Sequence, residues 1–275
     1  MKTKLTEKID FEKALQSSAS LPYAYVDRET FLRKELRRFR CKDVVEEAIA
    51  TNPASAGIPV EIINRIASSC INFEAVKVST FSFGAGIPGG LAMAATIPAD
   101  LMQYYAHVLR IMQKLAYLYG WQDLVKKDGQ LDDETNNILT LFTGIMFGVN
   151  GAVLAVQKIS EHMAKQIAEK LPQKALTDGV IYPIVKKVAK KLGVEMTKTA
   201  FSKGVSKVIP IVGGVVSGGI TFAGYRPMAA KLKKHLAGLE LADVSFYNKK
   251  RRELQAADST DGIDVGAPVT NAENE

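Results

Sequence analysis

Apolar residues recur at helical spacing along most of this chain, and the pattern predicts an all-α, multi-helix bundle. Over 28–50, Phe31, Leu32, Leu36 and Phe39 lie among Arg33, Lys34, Arg37, Arg38 and Arg40, which predicts one basic amphipathic helix broken at Thr51-Asn52-Pro53. A second helix is expected from about Pro59 to Val76, with Pro59 in its first turn. A longer one runs from Pro98 to Tyr119 and is ended by Gly120. Asp132, Asp133 and Glu134 suit a helix N-terminus, and the pattern carries that helix on to Leu171, where Pro172 stops it. Pro183 opens another helix, with Gly193 as a candidate break. An apolar stretch from Val208 to Tyr225 leads into a polar helix ending near Gln255. Only residues 76–83 alternate like a strand. The expected organisation is an N-terminal segment 1–27, a helical domain 28–255, and a disordered acidic tail 256–275.

Three segments, 78–99, 135–157 and 208–225, contain no charged side chain. A bilayer-spanning helix needs about 20 apolar residues, so each is tested as a span. Prolines and glycines interrupt the first and last, and Asn136, Asn137, Asn150 and Gln157 weaken the middle one. Two readings stand: buried helices of a large bundle, or helices that insert into a bilayer conditionally. Small residues repeat every four positions at Gly86, Gly90 and Ala94, at Gly144, Gly148 and Ala152, and at Gly214 and Gly218. That spacing puts them on one helix face and lets backbones approach, inside a core, in lipid or in an oligomer.

The 275 residues are 47% hydrophobic and 24% charged, which excludes both a disordered chain and a wholly membrane-embedded one. Cys41 and Cys70 are too few for a disulfide framework and read as buried thiols of a reducing compartment. No apolar run follows the mixed-charge N-terminus, so a secretory signal is not expected and the chain is read as cytoplasmic. The net charge of +7 is uneven: residues 253–275 hold six acids and no Lys or Arg, whereas 158–207 hold eleven lysines, no arginine and four acids. Within that basic stretch Val185, Val188, Ala189, Leu192 and Met196 form one side of a helix, and Lys186, Lys187, Lys190, Lys191 and Lys198 the other. A lysine-only face with few aromatic residues fits anionic membrane lipid better than nucleic acid, whose readout favours arginine. A plain solvated helix face is the alternative.

Gly84-Ala85-Gly86-Ile87-Pro88-Gly89 matches a dinucleotide-binding glycine pattern, but the helix that follows runs on past Asp100, so the strand–helix–strand context is missing. The helix 98–119 carries a polar stripe of Asp100, Gln103, His107, Arg110 and Lys114. Asp100, His107 and Arg110 are the candidate catalytic groups, for acid–base chemistry in a lipid or peptide hydrolase. The alternative is a face bonded to neighbouring helices, with Asp100 paired to Arg110 or capping a helix. With three histidines and no metal-ligand spacing, no metal or other cofactor is expected. No nucleophile elbow or phosphate-binding loop is present.

Several of these motifs together resemble the EcsC family of bacterial proteins. The residues are Gly86-Ile-Pro-Gly-Gly90, Ile97-Pro-Ala-Asp100, Arg110, Leu118-Tyr-Gly120 and Ile209-Pro-Ile-Val-Gly-Gly214 with Ala223, spanning roughly 40–240. The resemblance implies an α-helical cytoplasmic protein linked to a secretion-related ABC transporter. It carries over no catalytic residue. Gly86, Pro88, Gly89, Gly90, Asp100, Arg110, Tyr119, Gly120, Pro210, Gly213 and Gly214 transfer as family positions with a structural role. The resulting expectation is a non-enzymatic, peripheral protein that docks on anionic lipid, with an ABC transporter or another membrane protein as partner and oligomerisation open. The rivals are a pore-forming effector and the hydrolase.

Overall fold

Helix α5, Ala99–Leu118, is the element around which the others are arranged. In the computed structural model, which describes residues 11–80, 99–172, 181–195 and 217–261, it contacts α1 (Phe11–Ala19), α2 (Arg28–Leu36), α4 (Val60–Thr80), α6 (Asp133–Phe147) and α9 (Ser217–Leu236). The remaining helices are α3 (Lys42–Ala50), α7 (Ala152–Ala168), α8 (Ile181–Glu195) and α10 (Val244–Asp261), with a 3-10 turn at Glu240–Ala242. The fold is all-α, and the described residues contain no strand. Residues 76–80, which alternate like a strand, are the last turns of α4. Tyr105, Tyr117, Tyr119, Trp121, Phe142 and Tyr225 are the bulkiest buried side chains. Trp121 meets Phe142 edge-on at 4.9 Å.

The single helix expected over 28–50 is two. Asp27 caps α2 by accepting from the Thr30 amide at 2.8 Å. Arg28, 4% exposed, donates to the carbonyls of Ile49 (2.7 Å), Thr51 (3.3 Å) and Trp121 (3.3 Å). It thereby satisfies the orphan carbonyls at the end of α3. A continuous helix would hold Arg28 roughly 35 Å from Thr51, so this contact requires the break at 37–41. Arg33 and Glu46 then close the α2–α3 pair with a two-bonded contact of 2.9 and 2.7 Å. The N-terminal segment packs on the core from residue 11 onward, where Phe11 and Leu15 are buried and Phe11 packs edge-on against Tyr105.

The helix expected to run to Leu171 turns back at Gly148 and Gly151, whose φ angles are +73° and +93°. The left-handed conformation ends α6 and restarts the chain as α7. Gly144 and Ala152 therefore meet across a turn and not along one ladder: a Cβ on Gly144 would stand 3.0 Å from the Ala152 Cβ and 2.6 Å from Val188 Cγ1 of α8. Gly148 is a helix cap with only the Lys231 ammonium near its missing Cβ, at 3.9 Å. The predicted polar helix to Gln255 is likewise divided, by the 3-10 turn, into the end of α9 and α10. Residues 256–261 of the expected tail belong to α10; 262–275 lie outside the described residues. Cys70 is buried as expected, but Cys41 is exposed at the start of α3. Among the described residues no helix is long and apolar enough to cross a membrane.

Gly120 ends α5 with φ +95°, and the Trp121 amide reaches back to the Ala116 carbonyl at 3.0 Å. A Cβ there would lie 2.7 Å from the Leu241 carbonyl oxygen and 2.9 Å from Asn52 Nδ2. Asn52 is fully buried and links this end to α10 by donating to Tyr247 Oη at 2.7 Å. Gly120→Ala should therefore cost more than about 3 kcal/mol, combining left-handed strain with overpacking. Gly57 has φ +76° but open space around it, so Gly57→Ala should cost only about 1–2 kcal/mol. Urea denaturation of the two variants checks this; equal losses would show that the close approach at Gly120 contributes nothing.

Candidate functional site

The core-facing seam of α4 runs through Ile63, Ile66, Ala67, Cys70, Ile71, Ala75 and Val78, at steps of three and four. Glu74 occupies the same seam and is 0% exposed. A buried carboxylate is costly unless charge and hydrogen bonds replace its water. Helix α5 supplies the replacement from three residues of one face. Lys114 Nζ lies 2.5 Å from Glu74 Oε1, Arg110 Nε 3.4 Å from the same oxygen, and His107 Nδ1 3.5 Å from Oε2. Burial by itself would raise the Glu74 carboxyl, but His107, Lys114 and Arg110 outweigh it and bring the group down to about 2.

The same helix face fastens the connection between α1 and α2. Arg110 donates through Nη1 to the Tyr23 carbonyl and, at 3.2 Å, to that of Tyr25. Gln113 donates to the Ala24 carbonyl at 2.8 Å and accepts from the Val26 amide at 3.0 Å. Tyr225 of α9 donates to the His107 carbonyl at 3.0 Å. Four parts of the chain thus meet at one ionic cluster. Its chemistry is that of a charge anchor. A carboxylate near 2 is a poor proton acceptor at neutral pH, where a general base is most effective with a pKa close to the operating pH. Cys70 is equally unsuited to attack, since burial pushes its thiol up to about 11.

Of the polar stripe, His107, Arg110 and Lys114 are brought together as its spacing predicts, and Gln103 is half-buried on the same helix. The carboxylate they meet is Glu74, a residue the sequence reading passed over. Asp100 lies in the first turn of α5, where only the backbone is described. The signal for Glu74 was present: it is an acid in register with Ile63, Ile66, Cys70 and Ile71. Tyr119 is buried and donates to Asn64 Oδ1 at 2.6 Å, so with Gly120 it closes the helix end against α4. Lys186, Lys187, Lys190 and Lys191 are all exposed on α8. Gly218 lies in the first turn of α9, described by its backbone alone. Gly86, Pro88, Gly89, Gly90, Lys198, Pro210, Gly213 and Gly214 fall outside the described residues.

Among the described residues no group of three or more His, Cys, Asp or Glu side chains could hold a metal ion. In comparisons with known proteins, no family model, no curated protein and no solved structure matches the chain.

Glu74→Ala should destabilise the protein by about 3–5 kcal/mol, because it leaves Lys114 and Arg110 beside an apolar core without their counter-charge. Since folding lowers this carboxyl from 4.5 to about 2, its stabilisation is complete above about pH 4.5 and is lost as pH falls from there toward 2. That depression corresponds to about 3 kcal/mol. Denaturant midpoints at several pH values check both statements. The Glu74→Gln protein should lose less stability than wild type between pH 5 and 3; parallel losses would remove Glu74 as the responsible group.

Proposed function

We propose that the protein is a non-enzymatic, peripheral membrane protein that docks on anionic lipid through the lysine face of α8. The observation that carries this reading is the division of that helix. Its apolar side, Ile181, Val185, Val188 and Leu192, is buried in the bundle, and Lys186, Lys187, Lys190 and Lys191 are left outward. The N-terminus of α7 lies beside it, with Gly151 close to Ile184, at 3.5 Å from a Cβ position to Ile184 Cγ2. Two and three residues on, Val153 and Leu154 are 43% and 63% exposed, and Tyr182 of α8 is 46% exposed. Cations beside exposed apolar side chains suit an interfacial surface, where charge attracts and short apolar groups anchor. The EcsC resemblance adds a cytoplasmic setting and a membrane transporter as partner to this reading. The engagement of His107 and Arg110 with the buried Glu74 argues against the hydrolase built on Asp100, His107 and Arg110.

Each lysine near an anionic leaflet contributes roughly 1 kcal/mol, so four supply about 4 kcal/mol, or binding near the millimolar range. Burial of Leu154 adds about 1.5–3 kcal/mol. The protein should float with vesicles of phosphatidylglycerol and phosphatidylcholine, far less with phosphatidylcholine alone, and less in high salt. Changing Lys186, Lys187, Lys190 and Lys191 to Glu should abolish flotation, and Leu154→Glu should weaken it about tenfold or more. Equal flotation on neutral and anionic vesicles, or flotation that survives the four-lysine reversal, refutes the docking face.

A further inference from the structure

A cleft of about 500 Å³ opens between α2, α4 and α5, on elements that take no part in the lysine face of α8. That volume is in the range of small-molecule sites. Five cations line it: Lys34 from α2, Arg38 from the turn that follows it, Lys77 from α4, and Arg110 and Lys114 from α5. Three carboxylates stand against them, and each has a local commitment. Asp27 caps α2 through the Thr30 amide. Glu35 pairs with Arg38 at 3.6 Å. Glu74 lies behind the wall, bound to Lys114 and Arg110. The cleft therefore carries two more positive than negative charges.

The surplus sits among aromatic rings. Lys77 Nζ is 4.6 Å from the centre of the Phe73 ring, and Lys114 Nζ is 5.6 Å from Phe73 and 5.8 Å from the buried Phe31. A ring face attracts an ammonium without neutralising it, so the ring contacts leave the formal charge surplus of the lining unchanged. Phe73 is 55% exposed at the cleft. An occupant matched to this site needs two negative charges on compact oxygen acceptors and an apolar or planar group to cover Phe73. We infer that the cleft is a binding site for a phosphate monoester carried on an apolar group. The charge balance favours this dianion over a carboxylate, which would leave one positive charge unmatched. Both a soluble organic phosphate and a lipid with a monoester headgroup present this chemistry.

Calorimetric titration with phenyl phosphate, benzoate and inorganic phosphate tests the site, beside flotation on phosphatidylcholine vesicles doped with phosphatidic acid. Phenyl phosphate should bind about tenfold or more tightly than benzoate, a gap of about 1.4 kcal/mol, and more tightly than inorganic phosphate, which cannot cover Phe73. A Lys34→Ala, Arg38→Ala, Lys77→Ala triple variant removes exposed or half-exposed side chains outside the Glu74 cluster. It should keep the wild-type melting temperature and lose at least tenfold in affinity. Phe73→Ala should reduce phenyl phosphate binding toward that of inorganic phosphate. Binding of phenyl phosphate supports the site with a soluble source. Flotation on phosphatidic acid that depends on Lys34, Arg38 and Lys77, without phenyl phosphate binding, supports it with a lipid source. No binding in either arm, equal binding of benzoate, or indifference to the triple variant overturns it. The α8 lysine reversal should leave phenyl phosphate binding unchanged, which separates failure of this site from failure of the docking face.

Discussion

A carboxylate stripped of water stays ionised only if cations and hydrogen bonds take the water's place, and Glu74 imposes that condition on the centre of this fold. Helix α5 must present His107, Arg110 and Lys114 at the height of Glu74, which fixes the sliding register of α4 against α5. Apolar contacts between two helices tolerate small shifts; a match of three polar side chains to one carboxylate does not. Arg110 passes the constraint to the connection before α2 through the Tyr23 and Tyr25 carbonyls, and Tyr225 ties α9 to the same turn of α5. The net worth of such a cluster, set against an apolar core of equal volume, is small. Its effect is on arrangement: removing one partner leaves the remaining charges buried without their counter-charge.

A second buried polar knot follows the same rule at the far end of α5. Arg28 closes the carbonyls of α3, Asn52 joins the Leu241 carbonyl and Tyr247, and Gly120 lets those backbones meet. Helix α5 is almost wholly enclosed from Tyr104 to Tyr119, with aromatic side chains on several sides. The helix is therefore held by directional bonds along its middle, at His107–Lys114, and at its C-terminal end, with packing around both.

The all-α class and the polar face of α5 were legible because helical periodicity is a repeated signal that survives local errors. What the sequence left hidden were the interruptions. The break between α2 and α3 depends on Arg28 reaching Ile49 and Thr51, a tertiary contact with no local signature in a basic stretch that reads as one helix. Gly144 and Gly148 look alike in sequence, yet one is pressed against Val188 and the other caps a helix in the left-handed conformation. Spacing of four alone does not distinguish a packing glycine from a terminating one. Glu74 escaped for the opposite reason. Single acids on helices are usually solvated, and only its register with the α4 seam marks it as buried.

The two positive surfaces of the molecule differ in physics, and the two proposed ligands follow from that difference. The α8 lysines are exposed to water, so their attraction to anions is additive, long-ranged at low salt and blind to the shape of the partner. The cleft cations line a concave site, and three of them are held in place: Arg110 and Lys114 by Glu74, and Lys77 and Lys114 against Phe73. Charge held at a set distance from a ring discriminates between anions by valence and by what they carry, because a misplaced oxygen or a missing apolar group leaves a desolvated cation unmatched. Attraction without discrimination suits a surface as extended as a bilayer; discrimination suits a single headgroup or small phosphate. Only the second depends on the buried carboxylate, since Glu74 sets both the position of Lys114 and the size of the surplus charge that an incoming anion meets.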